Sequence, residues 1–124
     1  MRSRPLSVTL TGWLFIAAGA VGLAYHAGDM TAGTAIRFEA VWVLLLRLLA
    51  VLIGIGLLRG ARAARWLALL WLTYHVGLSV FHDAGELIAH VVLLALVAYL
   101  LFRRDAETFF RRARSAAGPL SPPA

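Results

Sequence analysis

The chain has 124 residues, of which 61% are hydrophobic and 15% are charged, and its mean hydropathy is +0.82. Twelve basic residues, all arginine, against six acidic ones give a net charge of +6. A soluble domain of this length leaves a large share of its chain in water and has no means of burying so much apolar surface. Length and composition therefore exclude a large multi-domain protein and predict an integral membrane protein.

The arginines predict membrane topology rather than a nucleic-acid partner. They lie between long apolar runs, which is the distribution that orients membrane helices. The sequence has no zinc-finger spacing and no RNA-binding aromatic motif, so we expect no nucleic acid as a partner. Cysteine is absent, which excludes disulfides, thiolate metal ligands and cysteine nucleophiles. Exclusive use of arginine with abundant alanine and glycine is typical of a GC-rich bacterial genome.

Four apolar runs predict four transmembrane helices, at residues 6–26, 40–58, 66–82 and 86–102. A helix needs about 20 residues to cross the hydrocarbon core, and the last two runs are slightly short for this. The runs lack the period-two alternation of strands, and a helix satisfies its own backbone hydrogen bonds in lipid. The predicted fold is all-α: an antiparallel four-helix transmembrane bundle over residues 1–103.

The positions of the arginines predict that both termini are cytoplasmic. Ten of the twelve flank the runs on one side, at the N-terminus, in the loop between the second and third runs, and after the fourth run. That loop is expected to hold Arg59, Arg62 and Arg65. We expect a multi-pass protein of the cell inner membrane.

The two ends of the chain allow further predictions. The N-terminal arginines and the first run also resemble a secretory signal, but that run is long, so we expect it to be retained. Residues 104–117 alternate charge with Phe109 and Phe110, which indicates a cytoplasmic amphipathic segment or simply a stop signal with aromatic anchors. Residues 118–124 are proline-rich and are predicted to form a disordered tail.

A polar cluster is predicted in the non-cytoplasmic half of the bundle, because all four histidines fall there and an arginine lies within the second run. Helical spacing places polar or small side chains on one stripe of each helix, and the stripes can converge. The candidate residues are Arg47, His75, His82, Glu86 and His90, with His26 above them. An ionised residue at this depth needs a partner, and Glu86 is the first choice for Arg47, with Glu39 second.

The chemistry of this cluster is left open by the sequence, and so is its cofactor. By ligand type, His75, Glu86 and His90 suit a divalent metal, but their spacing matches no metal-binding motif. Axial ligation of one haem, a quinone head group, or a proton relay would use the same residues. A purely structural role, with ion pairs and hydrogen bonds between helices, is the alternative for each of them.

Several short motifs resemble those of small four-helix bacterial inner-membrane proteins of unassigned function. The matching residues are Gly12-Trp13-Leu14-Phe15, Gly19, Gly22-Leu23, Arg47, Gly54, Ala64-Arg65-Trp66, Tyr74-His75-Val76, Phe81-His82, His90 and Tyr99–Arg103. In size and helix count the chain also resembles the DoxX-like group. The resemblance implies the four-helix fold and brings no activity or catalytic residue.

The leading functional hypothesis is a non-enzymatic accessory or scaffold subunit that forms a homo-oligomer or joins a larger membrane complex. The alternative is a redox or proton-transfer site built on the polar cluster. A third hypothesis, half of a transporter or channel, requires oligomerisation because four short helices enclose little volume.

Overall fold

The computed structural model describes residues 4–30 and 38–116, and within these ranges the chain is all-helical, which confirms the all-α part of the predicted fold. Its elements are α1 (Leu6–His26), a short 3-10 helix (Ala27–Met30), α2 (Phe38–Leu58), α3 (Arg62–Ser79), α4 (Ala84–Leu101) and α5 (Arg104–Ala116). The described ranges contain no strand. The tail predicted for residues 118–124 lies outside them.

Three of these helices, α1, α2 and α4, are long and apolar enough to cross a membrane. They have 21, 21 and 18 residues. α3 also has 18 residues, but it includes Arg62 and Arg65 in its first turn and polar Tyr74 and His75 further along. These side chains lower its mean hydropathy, so composition alone does not place α3 among the spanning helices.

The turn between α2 and α3 is closed by Gly60, whose φ of 80° lies in the left-handed region that glycine adopts without strain. The amide of Ala61 donates to the carbonyl of Gly56 at 2.9 Å, and the amide of Gly60 donates to that of Leu57 at 3.1 Å. This is the Schellman pattern that ends a helix. The connection is therefore only three residues long, and α2 and α3 run antiparallel.

This short connection shows that the prediction for the loop between the second and third apolar runs was wrong, because the loop does not contain Arg62 and Arg65. α3 begins at Arg62, four residues before the predicted start, so both arginines belong to the helix. At its other end α3 ends at Ser79. The chain then forms a tight turn, in which the amide of His82 donates to the carbonyl of Ser79. His82 lies in the turn and does not end the helix as predicted. Asp83 then caps α4 by accepting from the Glu86 amide at 2.8 Å.

α1 and α2 pack closely because glycines face the partner helix at their crossing. A Cβ at Gly19 would lie 2.6 Å from the carbonyl oxygen of Arg47, and one at Gly54 would lie 2.5 Å from the carbonyl oxygen of Gly12. Both distances are shorter than van der Waals contact with backbone atoms. Small residues let membrane helices approach in this way. α3 lies against α2 and α4, and α4 also contacts α1.

The buried apolar core lies in the half of the helices next to α5. It contains Val8, Phe15, Ala50, Ile53, Leu57, Ala64, Ala68, Trp71, Leu72, Val97, Leu101, Ala106 and Phe110. α5 carries Ala106 and Phe110, which share a face and are fully buried, and its arginines point outward. The segment predicted as amphipathic is therefore a helix docked against α3 and α4. The opposite half of the helices has no comparable apolar core among the described residues, and the polar side chains lie there.

Candidate functional site: a polar cluster between α3 and α4

Ser79, at the end of α3, is the centre of the polar cluster. Its side chain is 1% exposed, and its Oγ donates to the carbonyl of His75 at 2.8 Å. The same Oγ lies 2.8 Å from Nδ1 of His90 on α4 and 3.5 Å from Oε1 of Glu86. A buried hydroxyl of this kind joins two helices through one atom. The structure thus brings His75, Glu86 and His90 together around a serine that sequence analysis did not select.

The ring orientation of three histidines follows from their backbone partners. Nδ1 of His75 lies 2.9 Å from the carbonyl of Trp71, Nδ1 of His82 lies 2.9 Å from that of Leu78, and Nδ1 of His90 lies 3.0 Å from that of Glu86. A carbonyl only accepts, so each neutral ring carries its hydrogen on Nδ1 and keeps a lone pair on Nε2. The three rings therefore present Nε2 as a proton acceptor or ligand atom.

His75 is held in place by aromatic neighbours. Its ring stacks on Trp71 with 3.8 Å between centroids, and the Trp71 indole donates to the carbonyl of Leu46 on α2 at 3.0 Å. Phe15 of α1 meets Trp71 edge-on at 5.5 Å. His90 lies 5.8 Å from His75 between ring centroids. Trp71 thus separates the two regions: the apolar core lies on its side toward α5, and the polar cluster lies on its side toward the α3–α4 turn.

Arg47 borders the cluster from α2 and forms no ion pair among the described residues, so the predicted pairing with Glu86 is not present. The stem of Arg47 passes over Gly22 of α1, where a Cβ would lie 2.5 Å from its Cδ. Its side chain lines a cleft of about 170 Å³ together with His75, His82 and Glu86. Arg47 is half-buried. The cleft places a cation, a carboxylate and two histidines around one small space.

The remaining predicted residue, His26, is not among the residues that line this cleft. It ends α1, is half-buried, and meets Tyr25 edge-on with 5.0 Å between ring centroids. His82 lies in the turn after α3, is exposed, and reaches the cleft from outside. The cluster is therefore narrower than predicted, with Ser79 added and His26 outside it.

The cluster does not have the geometry of a metal site. Across residues 4–30 and 38–116, no group of three histidine, aspartate or glutamate side chains is placed to share a metal ion. His75, Glu86 and His90, which were predicted as possible metal ligands, therefore do not form such a group. A cleft of about 170 Å³ is also below the 300–1,000 Å³ of usual small-molecule sites. The space suits a few water molecules or one small group better than a haem.

A second polar site, at the opposite end, was missed by sequence analysis. Arg65 is 1% exposed, and its guanidinium lies 4.7 Å from the ring centroids of both Phe102 and Phe110. Its Nη1 donates to Glu107 on α5 at 2.5 Å and approaches the carbonyl of Leu101 at 3.5 Å. The hydrogen bond and charge of Arg65 hold the pKa of the Glu107 carboxyl below its usual 4.5, despite an opposing effect of burial.

The signal for this site was weak in the sequence. Glu107 and Phe110 are three residues apart and share a helix face, but the alternation of charge and aromatics in α5 also fits a surface helix. Arginines near apolar runs usually lie at the membrane interface. Nothing in the pattern singled out Arg65 from the arginines on either side of it.

Over residues 4–30 and 38–116 these observations define an all-helical chain with three helices apolar enough to cross a membrane, and with a polar cluster at the end where α3 turns into α4. Family models, curated proteins and solved structures were compared with the chain, and none matches it. The resemblance to small four-helix membrane proteins and to the DoxX-like group therefore stays a prediction.

Proposed function

We propose that the chain is a four-span protein of the bacterial inner membrane, with both termini in the cytoplasm. The contacts of α3 support its role as the fourth span. α3 runs antiparallel to α2 and α4, bonds α2 through Trp71 and α4 through Ser79, and is about 27 Å long at 1.5 Å per residue. A helix placed between two spanning helices in this way shares their depth. The arginine-rich end around Gly60 and α5 is then cytoplasmic.

We further propose that this membrane protein is a non-enzymatic accessory or scaffold subunit, which acts as a homo-oligomer or in a larger membrane complex. The observation that carries the proposal is the exposure of α4: 11% of its apolar window is buried, against 33% for α1. The exposed face of α4 includes Ile88, Val92 and Leu96. Lipid covers such a face in a monomer, and the proposal is that a second chain covers it here.

The absence of cysteine from the sequence makes this face easy to test. Val92→Cys and Leu96→Cys place a thiol on the exposed face of α4, and Leu14→Cys places the matched control on the exposed face of α1. Each variant is coupled to a thiol-reactive photo-crosslinker in native membranes. We expect discrete adducts, either a dimer or one larger species, from the α4 positions and few from α1. Equal yields from both helices, or no discrete adduct, would contradict a partner surface on α4.

The polar cluster supports a second candidate function, proton transfer or redox chemistry at the outer face. The observation in its favour is the Ser79 hydroxyl, 2.8 Å from Nδ1 of His90 and 3.5 Å from the Glu86 carboxylate, beside a cleft that also contains Arg47. A visible spectrum and elemental analysis of the same purified protein test whether this second function uses a bound cofactor. A Soret band or stoichiometric metal that is lost in His75→Ala would favour redox chemistry, despite the small cleft. A clean spectrum would leave cofactor-free proton transfer as the form of the second function, and discrete α4 adducts would favour the accessory role.

A further inference from the structure

A second cleft lies at the opposite end of the molecule, between the α2–α3 turn and α5. Its volume is about 550 Å³, and its lining residues are Arg59, Gly60, Ala61, Arg62, Ala113 and Arg114. Three arginines thus form its walls, and three small residues form its floor. Gly60 creates this floor, because a Cβ there would lie 2.5 Å from the Cβ of Ala113.

The positive charge of this cleft is only slightly offset by neighbouring carboxylates, of which Glu107 lies within electrostatic reach of Arg62. Of the two acidic residues of α5, Glu107 is paired with Arg65, and Asp105 lies 3.6 Å from Arg103. Arg59, Arg62 and Arg114 form no ion pair among the described residues. α3 also begins at this cleft without a side-chain cap, so the positive end of its dipole adds to the arginines. The occupant that this chemistry fits is a phosphate group.

The position of the cleft favours a lipid as the source of the phosphate. Trp66 on α3 and Tyr99 on α4 are each 62% exposed, and Trp66 packs against Phe102. Exposed tryptophan and tyrosine mark the headgroup level of a membrane. Arg62 lies one turn before Trp66, about 6 Å further toward the water. The cleft therefore opens at the depth where lipid phosphates lie.

We propose that the cleft between the α2–α3 turn and α5 binds the phosphate headgroup of an anionic phospholipid from the cytoplasmic leaflet. Basic pockets at this depth are where membrane proteins hold such headgroups. Because α5 supplies one wall, a bound lipid holds α5 against the turn. The site lies at the end opposite the polar cluster and goes beyond the proposed accessory function, although the lipid source relies on the proposed membrane embedding.

The test is lipid retention by the purified full-length protein in mild detergent, measured by native mass spectrometry. The probes are phosphatidylglycerol and, as the neutral comparison, phosphatidylcholine. The cleft variant combines Arg59→Gln, Arg62→Gln and Arg114→Gln. The charge-matched control combines Arg104→Gln, Arg111→Gln and Arg112→Gln, which lie outside the cleft on the exposed side of α5. A third variant replaces the three cleft arginines with lysine, which keeps the positive charge. It is measured beside the glutamine variant in case that variant folds poorly.

We expect the cleft variant to bind phosphatidylglycerol at least about tenfold more weakly, since each arginine near a membrane surface contributes to anionic lipid binding. The control and the lysine variant should retain most of the binding, and millimolar inorganic phosphate should not displace the lipid. Equal losses in the cleft variant and the control would overturn the site. Equal binding of phosphatidylcholine, or complete displacement by inorganic phosphate, would overturn the lipid as its occupant. Neither result depends on whether α4 binds a partner.

Discussion

Replacing Arg65 with alanine is expected to detach α5 and to lower the free energy of unfolding by about 3 kcal/mol. Arg65 is the largest fully buried side chain among the described residues. Its removal leaves a cavity between Phe102 and Phe110 and deletes the hydrogen bond to Glu107. Glu107 is 32% exposed, so water solvates the carboxylate that is left behind, and most of the loss comes from packing.

Two measurements check this result, unfolding in detergent and cleavage by trypsin near Arg103, where α4 passes into α5. Thr108→Ala is the control, because this side chain is exposed, bonds only the carbonyl of Arg104 in its own helix, and leaves every arginine in place, and it should change stability by less than about 0.5 kcal/mol. Equal protection from trypsin in Arg65→Ala and in the control would show that Arg65 does not hold α5.

The Arg65–Glu107 pair also makes the docking of α5 depend on pH. Because the pKa of Glu107 is lowered in the folded protein, the pair stabilises docking above the ordinary carboxyl value of 4.5. The contribution is lost as the pH falls through the folded-state pKa. Trypsin has little activity at such a pH, so the pH series measures unfolding in detergent instead. Glu107→Gln should remove the contribution of this pair to the pH dependence of stability.

Alanine at Gly19 or Gly54 is expected to separate α1 from α2 and to destabilise the protein by about 2 kcal/mol at each position. The new Cβ at Gly19 would lie 2.6 Å from the carbonyl oxygen of Arg47 and 2.9 Å from the amide nitrogen of Val51. Backbone atoms of a helix have no rotamer with which to move aside, so the two helices must shift. The shift at Gly19 would also displace Arg47 from the polar cleft.

Gly77→Ala is the matched control for these variants. Gly77 also lies within a helix, but a Cβ there has nothing within 4 Å. Since alanine is the better helix former, stability should stay the same or rise by up to about 1 kcal/mol. Unfolding in detergent compares the three variants. Similar losses at Gly77 and Gly19 would mean that the effect is not due to helix contact.

Much of the helical framework follows from the sequence, because leucine- and alanine-rich runs without alternation predict helices, and α1 has the bounds of the first predicted run. The predicted start of α3 was wrong although its signal was present: Gly60 lies two residues after Leu58, the last residue of an apolar run, and a glycine there marks where a helix ends and the next can begin. Arg62 and Arg65 were assigned to the loop because they are charged. Charge indicates on which side of the membrane an arginine lies, but it does not indicate whether the residue is helical.

The polar cluster shows a different limit. Helical spacing places His75 and Ser79 on one face of α3, and the structure brings that face to His90. The pairing of Arg47 with Glu86 does not follow from spacing, because a long side chain chooses its direction from its neighbours. Here Gly22 of α1 leaves room for the stem of Arg47. Contacts of this kind depend on how helices pack, which the sequence alone does not specify.

The four-span arrangement requires α3 to cross the membrane, so that the turn at Gly60 and the turn at Asp83 face opposite sides. Because the chain lacks cysteine, Ala63→Cys and Ala84→Cys, both exposed, report the two sides directly. The measurement is labelling with a membrane-impermeant maleimide before and after permeabilisation of the cells. We predict that position 84 is labelled in intact cells and that position 63 is labelled only after permeabilisation. Labelling of both positions from the same side would contradict the four-span arrangement.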